Sequence, residues 1–280
     1  MNIHQHPEAI ENKLLEIARC YIRRGWNPVP LPFKKKKPII RGWQNRIIDE
    51  TTAAQFFNSF NQNIGVQLGP TSHGLTDLDL DCPEAIALAP YVLPPTGAIF
   101  GRASKPASHW LYTTDLNVEC DSAVVQFKAP DDTMLLELRI GGGGKGAQTV
   151  FPGSTHESGE RVTWEINKDG EPAEVDGKHV TRCAKNLAIA TLIARTWPAE
   201  GSRHRAGLVV GGVLARAGMT ERIAGYLVGA IARAAIASGA IAHKPRKTLS
   251  RTVMQAEKPQ VSRSSRRLLV NRRRRRSQSG

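Results

Sequence analysis

The stretch Gly74–Ala85, GLTDLDLDCPEA, constrains this chain more than any other. Three aspartates, Asp77, Asp79 and Asp81, alternate with leucines. Period-two alternation is the pattern of a half-buried β-strand, with the carboxylates on one face and the leucines on the other. Aspartate is a poor strand former, and like charges on one strand face repel. Carboxylates at i and i+2 stand about 6–7 Å apart at Cα, given a rise near 3.3 Å per residue. They can converge on one divalent cation, or on two about 3.5–4 Å apart, and hard oxygen donors favour Mg2+ or Mn2+ over zinc. The competing reading is a solvated strand edge whose acids bind nothing.

Other segments carry chemistry. LLELRI places one acid, Glu137, inside an apolar strand, where an unpaired carboxylate costs several kcal/mol. Arg139 is read as lying on the opposite face and so not as its partner. A shared metal would serve, and an edge strand with Glu137 in water is the alternative. Between the acids, GRASKPASHWLY gathers Arg102, Ser104, Lys105, Ser108 and His109. Cationic and hydroxyl groups of this kind suit a triphosphate, whose charge they neutralise through charge-assisted hydrogen bonds. His109 is either a phosphate contact or a structural histidine at a strand start. The glycines of GGGGKG would let backbone amides approach an anion, or simply form a hairpin turn.

Around these segments the chain reads as α+β. Residues 8–24 have helical spacing and end at Gly25, and residues 51–60 read as a short capped helix. Short strands follow from NIGVQLG to RVTWEI, which points to a mixed sheet with flanking helices. NKDGEPAEVDGKH is turn-rich and makes a boundary, so the first domain is drawn at 8–175. Ala- and Leu-rich helical segments form a small all-α domain at 181–242. Residues 243–280 are polar and basic, with too few apolar side chains to fold alone.

The 280 residues carry a net charge of +14. Such an excess favours a polyanionic partner, above all nucleic acid. The four cysteines are scattered with no CxxC pair, which argues against a zinc ribbon or a secreted disulfide scaffold and for a reducing, cytoplasmic setting. The polar N-terminus is not read as a signal peptide, and no apolar run approaches the roughly 20 residues that span a bilayer, so no membrane is expected.

An acidic DxD strand, an S-x-H strand and a strand with one more acid, in that order, resemble the catalytic core of the archaeo-eukaryotic primase superfamily. More narrowly, residues 13–165 resemble the N-terminal domain of the bifunctional DNA primase–polymerases of plasmids, phages and prophages. IARCYIRRGWNPVPLPFKKKKPIIRGWQN is similar to that family's opening, and LELRIGGGGKGAQTVFPGSTHESGERVTW to its third motif with the trailing Pro-x-Ser-x-His segment. The resemblance implies a primase–polymerase fold and two-metal nucleotidyl transfer with Mg2+ or Mn2+. It implies Asp79, Asp81 and Glu137 as metal ligands, with Asp77 an accessory or third candidate. His109 would contact the phosphates of the incoming NTP or dNTP, with Ser108, Lys105, Arg102 and Ser104 in the same nucleotide-binding segment, and Arg139 would approach nucleotide or template. Single-stranded template and primer would bind through basic surface such as Lys34–Lys37 and stacking on exposed aromatics such as Trp43, with a separate helicase as a further partner; the alternative for Lys34–Lys37 is a solvated loop.

Two departures stand out. Gly153 occupies a position where a second proline is common, and no G-x-x-x-x-G-K-[ST] phosphate loop follows. The arginine tract then reads as a truncated or frameshifted end. Two other functions stay open: an inactive relative that only binds DNA, and a metal-dependent nuclease.

Overall fold

A computed structural model describes residues 7–59, 61–116, 122–142 and 144–239, with side chains from Lys13 onward. The expected basic tail at 243–280 and Cys120 lie outside the described residues.

The first helix, α1 (Pro7–Arg23), buries Leu14, Ala18 and Tyr21, which its periodicity puts on one face. It stops at Gly25, whose φ of 74° is the left-handed conformation that a glycine adopts without steric cost. Strand β1 (Pro28–Pro32, PVPLP) pairs antiparallel with β2 (Gln62–Gln67), and β2 pairs with β8 (Gln148–Val150). Prolines at alternate positions have no N–H to give a ladder, so β1 can only be an edge. It is one: the sheet order is β1-β2-β8.

The larger sheet runs β6-β7-β3-β5-β4-β9, with β10 (Ala173–Glu174) joined in parallel to β5. Its strands are β3 (Leu75–Leu80), β4 (Ala98–Arg102), β5 (Lys105–Thr113), β6 (Val124–Lys128), β7 (Met134–Arg139) and β9 (Thr163–Asp169). Strand β3 is central, and all six of its residues are buried. The half-buried strand expected from the Leu–Asp alternation is therefore covered on both faces. One cover is the helical layer; the other is the second sheet with α1, whose side chains Ile64, Val66 and Tyr21 share a core cluster with Leu75, Phe100 and Leu111.

On the leucine side, Leu78, Leu80, Trp110, Leu136 and Leu138 join the other core cluster. Helix α3 (Pro83–Val92), next in the chain after the one-turn α2 (Ala53–Phe56), follows β3 and begins at Pro83, a residue suited to the first helical position because its missing N–H would be unpaired there. Onto it pack α4 (Gly177–Arg195) and α6 (Glu221–Ala237), capped by Asp176 and Thr220, whose side chains accept from the His179 and Ile223 amides. Helix α5 (Arg203–Arg216) packs on α6. Ala184, Leu187, Ala230 and Ile231 of the helices at 181–242 thus sit in the same apolar cluster as the sheet leucines. None of the described helices is long and apolar enough to cross a membrane.

The glycine-rich turn after β7 has a packing role. A Cβ on Gly141 (φ 78°) would stand 2.2 Å from the Leu68 carbonyl oxygen, and one on Gly69 2.6 Å from that of Ile140. Two backbones meet there, and only glycine lets them.

Candidate active site

Registers put the acids together. Asp79 lies directly opposite His109 on β5 and Glu137 on β7, while Asp77 lies opposite Arg139. Asp81 follows the end of the strand, its amide bonded to the Leu135 carbonyl at 2.8 Å. Ligand oxygens of Asp79, Asp81 and Glu137 all fall within 4.8 Å of one another. These three side chains form the floor of a cleft of about 710 Å³, with Lys105, Ser108, His109, Arg102 and Arg139 on its walls.

Asp77 is not part of that cluster. Its carboxylate is wholly buried, accepting from Thr149 Oγ1 at 2.6 Å and pairing with His109 Nδ1 at 3.0 Å. The strand pattern gives no sign of this difference between Asp77 and Asp79, because Thr149 comes from the other sheet. Hydrogen bonds to charged acceptors contribute about 1.5–3 kcal/mol. Thr149→Val keeps the shape, and removing the hydroxyl should lower unfolding stability by about that amount in a urea titration.

His109 is held from three sides. Nδ1 faces Asp77, Nε2 stands 3.8 Å from Asp79 Oδ1, and the ring stacks on Phe100 with centroids 4.5 Å apart and planes inclined by 13°. Burial opposes charging the imidazole, but Asp79 and Asp77 outweigh it and raise the pKa above the usual histidine value. Nδ1 is taken up by Asp77, which leaves Nε2 on the side of Asp79 and the cleft.

Lys105 Nζ lies 3.0 Å from Asp81 and 3.5 Å from Asp79. Arg139 Nη2 lies 2.6 Å from Asp79 Oδ2 and 2.7 Å from Glu137 Oε2. Arg139 is thus the partner of Glu137, contrary to the expectation that it faces away. The two are two residues apart, and the pleat returns residues i and i+2 to one face. Burial raises the Asp79 pKa, but His109, Arg139 and Lys105 outweigh it and lower the carboxyl to about 2. Burial and the neighbouring Asp79 charge act the other way on Asp81 and raise its pKa.

The acids suit a divalent cation chemically. Three hard oxygen donors converge, and the buried Asp79 Oδ1 accepts no hydrogen bond.

The hairpin β4–β5 splits the expected phosphate residues. Lys105, Ser108 and His109 line the cleft, and Ser108 Oγ is buried there with no hydrogen-bond partner. Arg102 also lines it, but its Nε bonds Glu160 Oε2 at 3.1 Å. Ser104 does not face the cleft; its amide and hydroxyl both bond Glu160, each at 2.7 Å. Glu160 also accepts from Ser158, so one half-buried carboxylate ties the hairpin tip to the 153–161 loop. Sequence reading missed Glu160, since a single acid in a polar turn carries no signal. Ser154, in the Pro-x-Ser-x-His segment, is structural: its Oγ takes the Ile64 amide and donates to the Ile64 carbonyl, both at 2.9 Å. His156 of that segment lines the cleft.

Comparison with curated proteins finds no match. The model of one family, bifunctional DNA primase/polymerase, N-terminal, matches residues 18–177, which hold every strand of both sheets and every residue of the acid cluster. A primase/polymerase-type nucleotidyl-transfer role accords with acids facing cations across one cleft, and the chain belongs to the bifunctional DNA primase/polymerase N-terminal family.

Proposed function

We propose that the cleft performs template-directed nucleotidyl transfer, making or extending DNA primers in plasmid, phage or prophage replication within the cytoplasm. One observation carries this: three carboxylates within 4.8 Å stand opposite a lysine and a histidine in a single cleft. Asp79, Asp81 and Glu137 would hold Mg2+ or Mn2+. The bound metal would lower the pKa of the attacking 3′-hydroxyl and stabilise charge on the phosphates.

The protein's own groups bind and orient. Lys105, released from Asp81 as an anion enters, would neutralise the triphosphate, and Ser108 Oγ would donate to it. His109 would present Nε2–H to a phosphate oxygen, its ring fixed by Asp77 and Phe100, so that the donor is in place as charge develops. The 3′-hydroxyl would give up its proton to solvent, its oxygen would form a bond to the α-phosphorus as the bond to the bridging oxygen breaks, and pyrophosphate would leave. The catalytic region is 8–175. The helices at 181–242 would brace the sheet from behind and assist template binding, and a helicase would act as a separate partner.

The test is primer extension on a single-stranded template with NTPs or dNTPs and Mg2+ or Mn2+. Asp79→Ala/Asp81→Ala runs beside the wild type, with a primer-free lane. Metal-dependent extension that the double variant abolishes is the expected result, and product without primer adds primase activity. A folded protein that binds DNA without extending would point to an inactive relative. Primer shortening would point to a nuclease.

A further inference from the structure

A second groove of about 370 Å³ adjoins the cleft, and Arg139 lines both. Its walls include Lys37, Pro38, Trp43, Gly146 and Gln148, with no acidic residue among them. Its volume falls in the range of about 300–1,000 Å³ typical of small-ligand pockets, enough for one planar base.

Trp43 differs from the other four tryptophans of the chain. Trp26 and Trp164 belong to an aromatic cluster with Phe100 and Phe151, and Trp110 and Trp197 are buried in the core. Trp43 is half-buried and, among the described residues, has no ring or guanidinium stacked on it. Its backbone is nevertheless fixed. The buried Gln67 amide donates to the Trp43 carbonyl at 2.7 Å and to that of Arg46 at 2.8 Å. A Cβ on Gly146 (φ 66°) would lie 3.6 Å from the indole and 3.0 Å from Gln44, so this glycine keeps the space beside the ring open.

The lysine run is anchored too. Gln148 on β8 donates to the Lys36 carbonyl at 2.6 Å, which places Lys36 on the main cleft and the exposed Lys37 on the groove. Lys36 has Glu157 at 3.7 Å, whereas Lys37 has no acidic partner among the described residues. An unpartnered aromatic face beside an unpaired cation, with no acid lining the groove, suits a ligand that is both planar and anionic.

We infer that this groove seats an unpaired base of the nucleic-acid strand, stacked on Trp43 with its phosphate against Lys37, and that Arg139 marks where the strand passes to the acid cluster. The inference rests on the reading of the cleft as a nucleotidyl-transfer centre. The test therefore reads contact and affinity rather than synthesis, and the two can fail separately.

A single-stranded oligonucleotide carrying 5-iodouracil is photocrosslinked to the full chain and mapped by peptide mass spectrometry. Residues 243–280 contain no Phe, Trp or Tyr, so a crosslink to an aromatic ring cannot arise from the basic tail. The expected crosslink is at Trp43, absent in Trp43→Ala. At raised salt, Trp43→Ala should weaken binding of the oligonucleotide about ten-fold, and Trp43→Phe should recover most of it. Lys37→Gln should lower the slope of log affinity against log salt by about one. A 5-iodouridine triphosphate arm separates a strand from a free nucleotide: a Trp43 crosslink there, with none from the oligonucleotide, overturns the inference. So does a crosslink confined to other residues, no crosslink at all, or unchanged affinity in Trp43→Ala with melting temperature preserved.

Discussion

Glu137→Gln should weaken Mn2+ binding by more than about 100-fold and depress primer extension at least as far. Losing a group that only orients a metal ligand typically costs about 10–100-fold in metal affinity or activity, so losing a ligand outright should exceed that. The substitution is close to isosteric, and its defects point to the site rather than to the fold. Glu137 Oε1 accepts from Gln126 at 2.7 Å, and Oε2 accepts from Arg139 Nε at 3.0 Å. A carboxamide keeps one of these acceptors and sets an N–H against a donor at the other, an exchange worth about 1–3 kcal/mol at a half-buried position. Titration of Mn2+ by electron paramagnetic resonance, with urea unfolding in parallel, separates the two effects. Unchanged Mn2+ affinity would remove Glu137 from the ligand set.

Phe100→Ala should lower unfolding stability by about 3–5 kcal/mol, the range for a buried phenylalanine truncated in a tight core. Phe100 is fully buried. Its ring packs on Phe151 at 5.0 Å and meets Trp164 edge-on at 5.3 Å, in addition to stacking on His109. Few neighbours could collapse into the void, because the cluster is itself aromatic and flanked by both sheets. With a urea m-value of about 2–3 kcal/mol/M, the unfolding midpoint should fall by about 1–2.5 M. Phe100→Leu should recover much of the loss in stability. It should not restore nucleotide affinity, since a leucine fills volume but offers His109 no flat surface. Equal recovery of both properties would show that stacking does not set the His109 orientation.

The alternation of Leu75 to Asp81 was legible because a single strand suffices to sort its two faces. Its burial on both faces was not. That depends on a second sheet built from PVPLP and two strands distant in sequence, where local pattern says little about what packs on what. Asp77 and Asp79 look alike in the sequence, yet one meets Thr149 and the other the cleft. Arg139 was misplaced by miscounting the pleat, and correct counting would have paired it with Glu137. Lys105 was read as a phosphate ligand from composition, but the hairpin that carries it also brings it within 3.0 Å of Asp81, a register effect that no single strand discloses. Helix α3 went unread because its proline-bounded stretch, PEAIALAPYV, mixes turn signals with an apolar run. Net charge pointed to nucleic acid for a reason apart from the site: residues 243–280 hold 13 Lys and Arg against one acid, Glu257. The cleft itself is close to neutral, with acids and cations interleaved.

That interleaving decides what a metal ion would be to this protein. In small zinc domains the unfilled ligand set is an uncompensated cluster of donors, so the ion is part of the architecture and its removal melts the chain. Here Arg139 and Lys105 lie where they quench the repulsion of Asp79, Asp81 and Glu137 from within the polypeptide. The acid cluster is thereby compensated without an ion, and a metal bound there would serve the reaction and not the holding together of the fold.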